Sequence, residues 1–285
     1  MTGWKTHLIL ARASNLPTVW SNVLCAWLLA YGADSNDLIL LLLGSSILYT
    51  GGMYLNDWFD VEFDRAHRPE RPIPAQQISS KRVLYFSIFW LGCGYATSFL
   101  FNNMAILFGS LLLGCIIWYN RSHKNNPWSP FTMAGCRALL ILWAGAACNP
   151  ELSPIIWISA ASLFFYIVGL SYVARGVGKS KPILYGSLVS LSIPVFAHGK
   201  NLGAINQWWF WLALALLVTW VIRSLSGLLK KPPQIDFTIC GLLSGLVCLD
   251  LYVIASHREL SPLAIFSFVA LFITTLLLQK KIPAT

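Results

Sequence analysis

Acidic side chains are scarce in this sequence. It holds 11 Asp and Glu against 20 Lys and Arg, and charged residues of either sign make up only 11% of it. A soluble domain carries about 25% charge, so the shortage excludes most soluble folds. CxxC pairs are missing as well. The cysteines, Cys25, Cys93, Cys115, Cys136, Cys148, Cys240 and Cys248, lie mostly within apolar segments, which leaves them as small packing residues rather than a disulfide framework or a thiolate metal site. His123, His198 and His257 are scattered, without metal-ligand spacing. Strand-like alternation is also lacking. The runs LILLLLGSSILY and WWFWLALALLVTWVI are continuously apolar, whereas the strands of a membrane barrel alternate polar with apolar.

What is present is apolar length. Hydrophobic residues make up 56% of the chain, in runs that reach the roughly 17–25 residues needed to cross a bilayer. The fold class expected is all-α, a polytopic membrane helical bundle over residues 1–285 with no separate soluble domain. Ten spans are read, near 16–32, 38–57, 83–101, 104–119, 133–148, 153–174, 183–198, 206–224, 237–255 and 262–279. The first is read as a span, not as a cleaved leader. With the N-terminus cytoplasmic, every Lys and Arg except Lys200 and Arg258 falls on the cytoplasmic side, as the positive-inside rule requires. The net charge of +9 therefore reads as membrane topology, and no nucleic-acid partner is expected. Asp250 falls inside the ninth span, where a carboxylate is costly and marks a packing, pairing or functional role.

The few acids are not spread evenly. Asp57, Asp60, Glu62 and Asp64 crowd the foot of the second span in NDWFDVEFDRAHRPERPIP, with Glu70 close behind. Asn56, Asp60 and Asp64 are spaced i, i+4, i+8, which puts them on one stripe of a helix, with Asp57 beside it and Glu62 elsewhere. Pro69, Pro72 and Pro74 then exclude regular helix, so the segment is expected to turn back over the cytoplasmic mouth. Carboxylates stacked this closely repel one another unless a cation sits among them. One reading is an acidic loop neutralised by Arg65, Arg68 and Arg71. The other is a Mg²⁺ site, since Mg²⁺ takes one or two carboxylates and completes its shell with water and phosphate. That chemistry points to a diphosphate whose departure the metal assists.

NDWFDVEFD followed by RPERPIP resembles the first aspartate-rich motif of the UbiA family of membrane prenyltransferases, NDxxDxxxD with an arginine and RPI shortly after. The matching residues are Asn56, Asp57, Asp60, Asp64, Arg68, Arg71, Pro72 and Ile73. Asn15, Pro17 and Thr18 at the first span, Tyr119 and Arg121 at the end of the fourth, and Arg137 in the fifth also resemble the family. The resemblance implies helices around a central cavity open to lipid, nine of them in the usual case. It implies Mg²⁺-dependent transfer of a prenyl group from an isoprenoid diphosphate to a small lipophilic acceptor. Asn56, Asp57, Asp60 and Asp64 would be catalytic, with the three aspartates on the metal, and Arg68 and Arg137 would contact phosphate oxygens.

Family enzymes carry a second aspartate-rich motif after the sixth span. Here the sequence reads GLSYVARGVGKSKP, with no acid. Arg175 and Lys179 stand there, four apart, as candidate diphosphate ligands in place of a second metal. This departure, with YVARG and GLLSGLVCLD, resembles the UbiA-like subgroup EboC, linked to transport or processing of precursors. Prenyl transfer is therefore set beside a UbiA-like protein that binds or exports a lipid precursor without transferring it, and beside an unrelated carrier. Membrane lipid and partner proteins of the same pathway are further expectations. So is a place in a bacterial inner (cell) membrane.

Overall fold

The computed structural model describes residues 3–32, 35–124, 126–176, 181–199 and 201–283. The helices among them are α1 (Gly3–Leu10), α2 (Leu16–Leu29), α3 (Ser35–Phe59), α4 (Val61–His67), α5 (Ser80–Ala96), α6 (Asn103–Ser122), α7 (Ser129–Cys148), α8 (Pro154–Gly176), α9 (Lys181–His198), α10 (Leu202–Ile205), α11 (Trp208–Leu225), α12 (Ile235–Ala255) and α13 (Pro262–Gln279). A helix occupies each of the ten expected spans. Eight are long and apolar enough to cross a membrane. The two that fall short are α2, with 14 residues, and α9, whose apolar part is Ile183–His198 and which holds Pro194 inside it. Their starts and stops are local. Ser79, Asn102 and Ser261 cap α5, α6 and α13 by accepting from the amide three residues on, which satisfies a donor the helix leaves open.

Neighbours in sequence pack as neighbours in space: α3 with α5, α6 with α7, α7 with α8, α8 with α9, and α11 with α12. The short α2 sits among α3, α7, α12 and α13. Every residue of α12 from Gly241 to Ala255 is buried, so this helix runs through the interior of the bundle. A cavity of about 230 Å³ lies beside Val195, Phe210 and Tyr252, and one of about 310 Å³ beside His7, Gln77 and Arg82. Neither touches the aspartate stripe.

In a bilayer, helices gain little from hiding apolar surface and gain more from close contact through small residues. The α3–α5 crossing uses this. A Cβ on Gly94 would stand 2.7 Å from the Leu48 backbone nitrogen, and one on Gly51 2.8 Å from that of Leu91. The closeness lets Ser87 Oγ donate to the Gly51 carbonyl at 2.9 Å. Gly94→Leu is expected to lower stability by about 1–3 kcal/mol, read as a fall in Tm of the detergent-solubilised protein. An unchanged Tm would mean that the two helices do not cross this closely.

Candidate active site

The foot of α3 keeps its helical register past its formal end. The Asp60 amide donates to the Asn56 carbonyl at 2.9 Å, Asp64 to Asp60 at 2.8 Å, and Arg68 to Asp64 at 2.8 Å. The break between α3 and α4 at Asp60 therefore does not turn the chain, and Asn56, Asp60 and Asp64 stay on one stripe. All three are buried, as is Asp57, whereas Glu62 faces solvent and pairs with Arg65 at 2.8 Å. No helix forms from Arg68 to Ser79. This proline segment folds back, and Ile73 packs with Leu10, Ala11, Tyr54 and Val61. That return brings Arg71 under the stripe, buried, while Arg68 remains exposed.

The stripe is ringed by cations. Arg12, in the turn after α1, donates through Nη2 to Asn56 Oδ1 at 2.7 Å and to Asp57 Oδ1 at 3.2 Å. Arg71 Nη1 stands 3.9 Å from Asp57 Oδ2. The loop after α6 supplies His123, 3.2 Å from Asp60 Oδ1, and Lys124, 2.9 Å from the same oxygen. Burial pushes the Asp60 carboxyl up, but the hydrogen bonds and charges of His123 and Lys124 outweigh it and hold the group below its ordinary value. Asp64 goes the other way. Burial, with Asp60 beside it, raises its carboxyl despite Arg71, Arg68 and Lys124.

Arg137 and Arg175 are not on the stripe. Arg137 donates to Asn22 Oδ1 at 2.8 Å and Thr18 Oγ1 at 3.1 Å, and its guanidinium lies 5.9 Å from the centre of the Tyr49 ring. Tyr49 links the two regions, because its hydroxyl reaches the Arg12 carbonyl at 3.4 Å. Arg175 donates to the His123 carbonyl at 3.3 Å, to the Asn126 carbonyl at 3.5 Å and to Ser129 Oγ. It fastens the loop that carries His123 and Lys124. Lys179 lies outside the described residues. Arg12, His123 and Lys124 were not singled out from the sequence as site residues. No spacing rule ties positions 12 and 123 to position 57; they meet through the return of α1 and the α6–α7 loop.

The donor set can be tested against a divalent cation. Asp57 Oδ2 and Asp64 Oδ1 are buried without a hydrogen-bond partner, and an unpaired buried carboxylate oxygen is costly. Among the described residues no group of three His, Cys, Asp or Glu side chains is placed to hold a metal ion. One or two carboxylates open to further oxygen ligands suit Mg²⁺, which keeps water and phosphate in its shell.

The UbiA prenyltransferase family matches residues 15–238. A digeranylgeranylglyceryl phosphate synthase of Methanococcoides burtonii is 34% identical over 48% of this chain and 59% of its own length. One of Methanopyrus kandleri is 26% identical over 75% of this chain and 77% of its own. The chain thus spans about three-fifths of the first relative. These relatives are archaeal synthases, so the likeness to EboC drawn from YVARG and GLLSGLVCLD gives way to one toward that group. A solved structure of digeranylgeranylglyceryl phosphate synthase superposes with a TM-score of 0.64 at 22% identity, covering 90% of this chain and 98% of that one. A UbiA homolog of Archaeoglobus fulgidus bound to DMAPP and Mg²⁺ gives 0.53 at 15%, over 97% and 100%. At these identities the likeness is one of fold.

Proposed function

The chain belongs to the UbiA prenyltransferase family, and from that premise we propose that it transfers an isoprenoid group from a prenyl diphosphate to a lipophilic acceptor within the membrane. The observation that carries the reading is the stripe itself. Buried carboxylates with unpartnered oxygens lie at the foot of a membrane helix, ringed by Arg12, Arg71, His123 and Lys124. Neither an acidic loop neutralised by its own arginines nor a carrier with mid-membrane charges needs that arrangement. Within the family reading, Asn56, Asp57, Asp60 and Asp64 form the reaction centre, and one or two carboxylates among Asp57, Asp60 and Asp64 would hold Mg²⁺, with water and diphosphate completing its shell. Bound there, the metal would draw charge from the leaving diphosphate.

The chain's own residues orient the donor. Arg71 and Lys124 face the stripe and would clamp outer diphosphate oxygens, Arg68 would reach them from the exposed rim, and the family reading assigns Arg137, inside the bundle, to the same oxygens. In the reaction the bond between the allylic carbon and the diphosphate oxygen breaks, the acceptor bonds to that carbon and loses its proton, and diphosphate departs. Where the second acidic motif would stand, Arg175 and Lys179 bring positive charge. Arg175 acts through His123, Asn126 and Ser129, to which it donates. Arg175→Ala is expected to weaken prenyl diphosphate binding by about tenfold, the worth of one charge-assisted contact, as Lys124 loses its fixed place beside the stripe, and to lower Tm as the loop loosens. An equal affinity would separate that loop from the site.

The ten helices are proposed to cross the membrane with the N-terminus and the stripe on the cytoplasmic side, as the placement of Lys and Arg supports. The relatives are archaeal, so a cell membrane is proposed without assigning it to bacteria. The test is transfer. Protein in nanodiscs is incubated with Mg²⁺ and labelled geranylgeranyl diphosphate, together with geranylgeranylglyceryl phosphate or a lipophilic aromatic acceptor. A labelled lipid product and released diphosphate support the reading. Binding of the diphosphate with no product from any acceptor would favour a precursor-binding protein instead.

A further inference from the structure

Asp250 has no part in the site so far described, and it lies on α12 beyond the residues that the family matches. It is 2% exposed. A carboxylate inside a membrane helix is expensive and persists where it holds something in place. Its Oδ2 accepts from Ser21 Oγ at 2.6 Å and from Asn22 Nδ2 at 2.7 Å. The other end of the Asn22 amide, Oδ1, accepts from Arg137 Nη1 at 2.8 Å. Asn22 is fully buried. It stands between an acceptor-only carboxylate and a donor-only guanidinium, and only one orientation of its amide satisfies both. Thr18, one helical turn before Asn22 on α2, takes the second nitrogen of the same guanidinium at 3.1 Å. Three helices thus meet on one hydrogen-bonded chain: α12 through Asp250, α2 through Asn22 and Thr18, and α7 through Arg137.

We propose that Asp250 is a positioning residue: it sets the Asn22 amide, which aims the Arg137 guanidinium past Tyr49 toward the diphosphate site. The inference rests on the reading of Arg137 as a diphosphate ligand. A leucine at position 250 would fill similar volume and pack against its apolar neighbours, but it would leave the amide free to turn its own donors toward Arg137. An asparagine at 250 keeps an acceptor but adds a donor, so it holds the orientation less firmly.

The probe is geranylgeranyl diphosphate with Mg²⁺, bound to the full chain in nanodiscs, with the ligand-free Tm measured alongside. Arg137→Gln is expected to raise Kd by about tenfold, the loss of one charge-assisted contact. Asp250→Leu should match it, and Asp250→Asn should fall between Asp250→Leu and the wild type. In the double variant the Asp250→Leu change should add less than about twofold, because residues on one chain do not act independently. If Asp250→Leu yields no monodisperse protein, Asn22→Ala carries the test, since it cuts the same chain at its middle. Losses that multiply, or a normal Kd in Asp250→Leu, overturn the inference while leaving the diphosphate reading intact. A normal Kd in Arg137→Gln overturns both that reading of Arg137 and the inference. Absence of Mg²⁺-dependent binding by the wild type overturns the proposed function itself.

Discussion

Asp60→Asn combined with Asp64→Asn is expected to weaken Mg²⁺-dependent binding of geranylgeranyl diphosphate by at least about a hundredfold and to abolish transfer. Each carboxylate is worth about 1.5–3 kcal/mol as a partner to a charged group, and about 3 kcal/mol in total corresponds to a hundredfold in Kd. The two sites are expected to fail for different reasons. Asp60 already holds His123 and Lys124, so its loss frees two cations and loosens the α6–α7 loop. Asp64 has an oxygen with no partner, so its loss removes a metal donor and costs the ligand-free protein little. Asp64→Asn alone should therefore leave Tm near the wild-type value while cutting affinity. Asp60→Asn should lower both. Isothermal titration with and without Mg²⁺, beside thermal melts, separates the two. If the double variant binds as the wild type does, the diphosphate is not held at this stripe.

The ion pair at Asp60 also has a pH consequence. Its carboxyl is held below its ordinary value in the folded protein. A carboxyl depressed in this way contributes stability above its unfolded value, and that stability is lost as pH falls through the folded value. Acidification below the usual carboxylate range should release the loop that Arg175 fastens, and Asp60→Asn should remove that part of the pH dependence.

Much of this was legible in the sequence, for reasons that differ between its parts. The spans were readable because apolar length has few other uses at this charge content. The stripe was readable because i, i+4, i+8 spacing survives as long as backbone bonds run four residues back, and they do so across the break at Asp60. The turn-back was readable because three prolines exclude helix. The cation ring was harder. Arg71 was visible as part of the RPERPIP run, but the burial that distinguishes it from exposed Arg68 depends on Ile73 docking against α1 and α3. Arg12 and Lys124 looked like topology charges because that is what most lysines and arginines near a span end are. The burial of α12 was not readable either. Apart from Asp250, the stretch of α12 from Leu246 on is apolar, and apolarity alone does not separate a helix facing lipid from one buried in the bundle.

Arg12 carries the second large effect. It lies in the left-handed region at φ 42°, so Arg12→Gly removes the side chain at a position where glycine's backbone is at ease. The variant leaves Asp57 with only Arg71, at 3.9 Å, and Asn56 without its donor. Breaking a buried pair from one side costs about 3–5 kcal/mol, because the surviving charge stays buried, and the pair here is 17% and 4% exposed. A fall of that order in unfolding free energy is expected for Arg12→Gly without divalent cation. Adding Mg²⁺ should then stabilise the variant more than it stabilises the wild type, since a cation at Asp57 replaces the one removed. Arg12→Gly with Asp57→Asn should recover much of the loss without Mg²⁺, by removing the stranded charge. If Mg²⁺ raises the Tm of wild type and variant equally, Asp57 belongs to the scaffold that Arg12 locks, and the metal is left to Asp60 and Asp64.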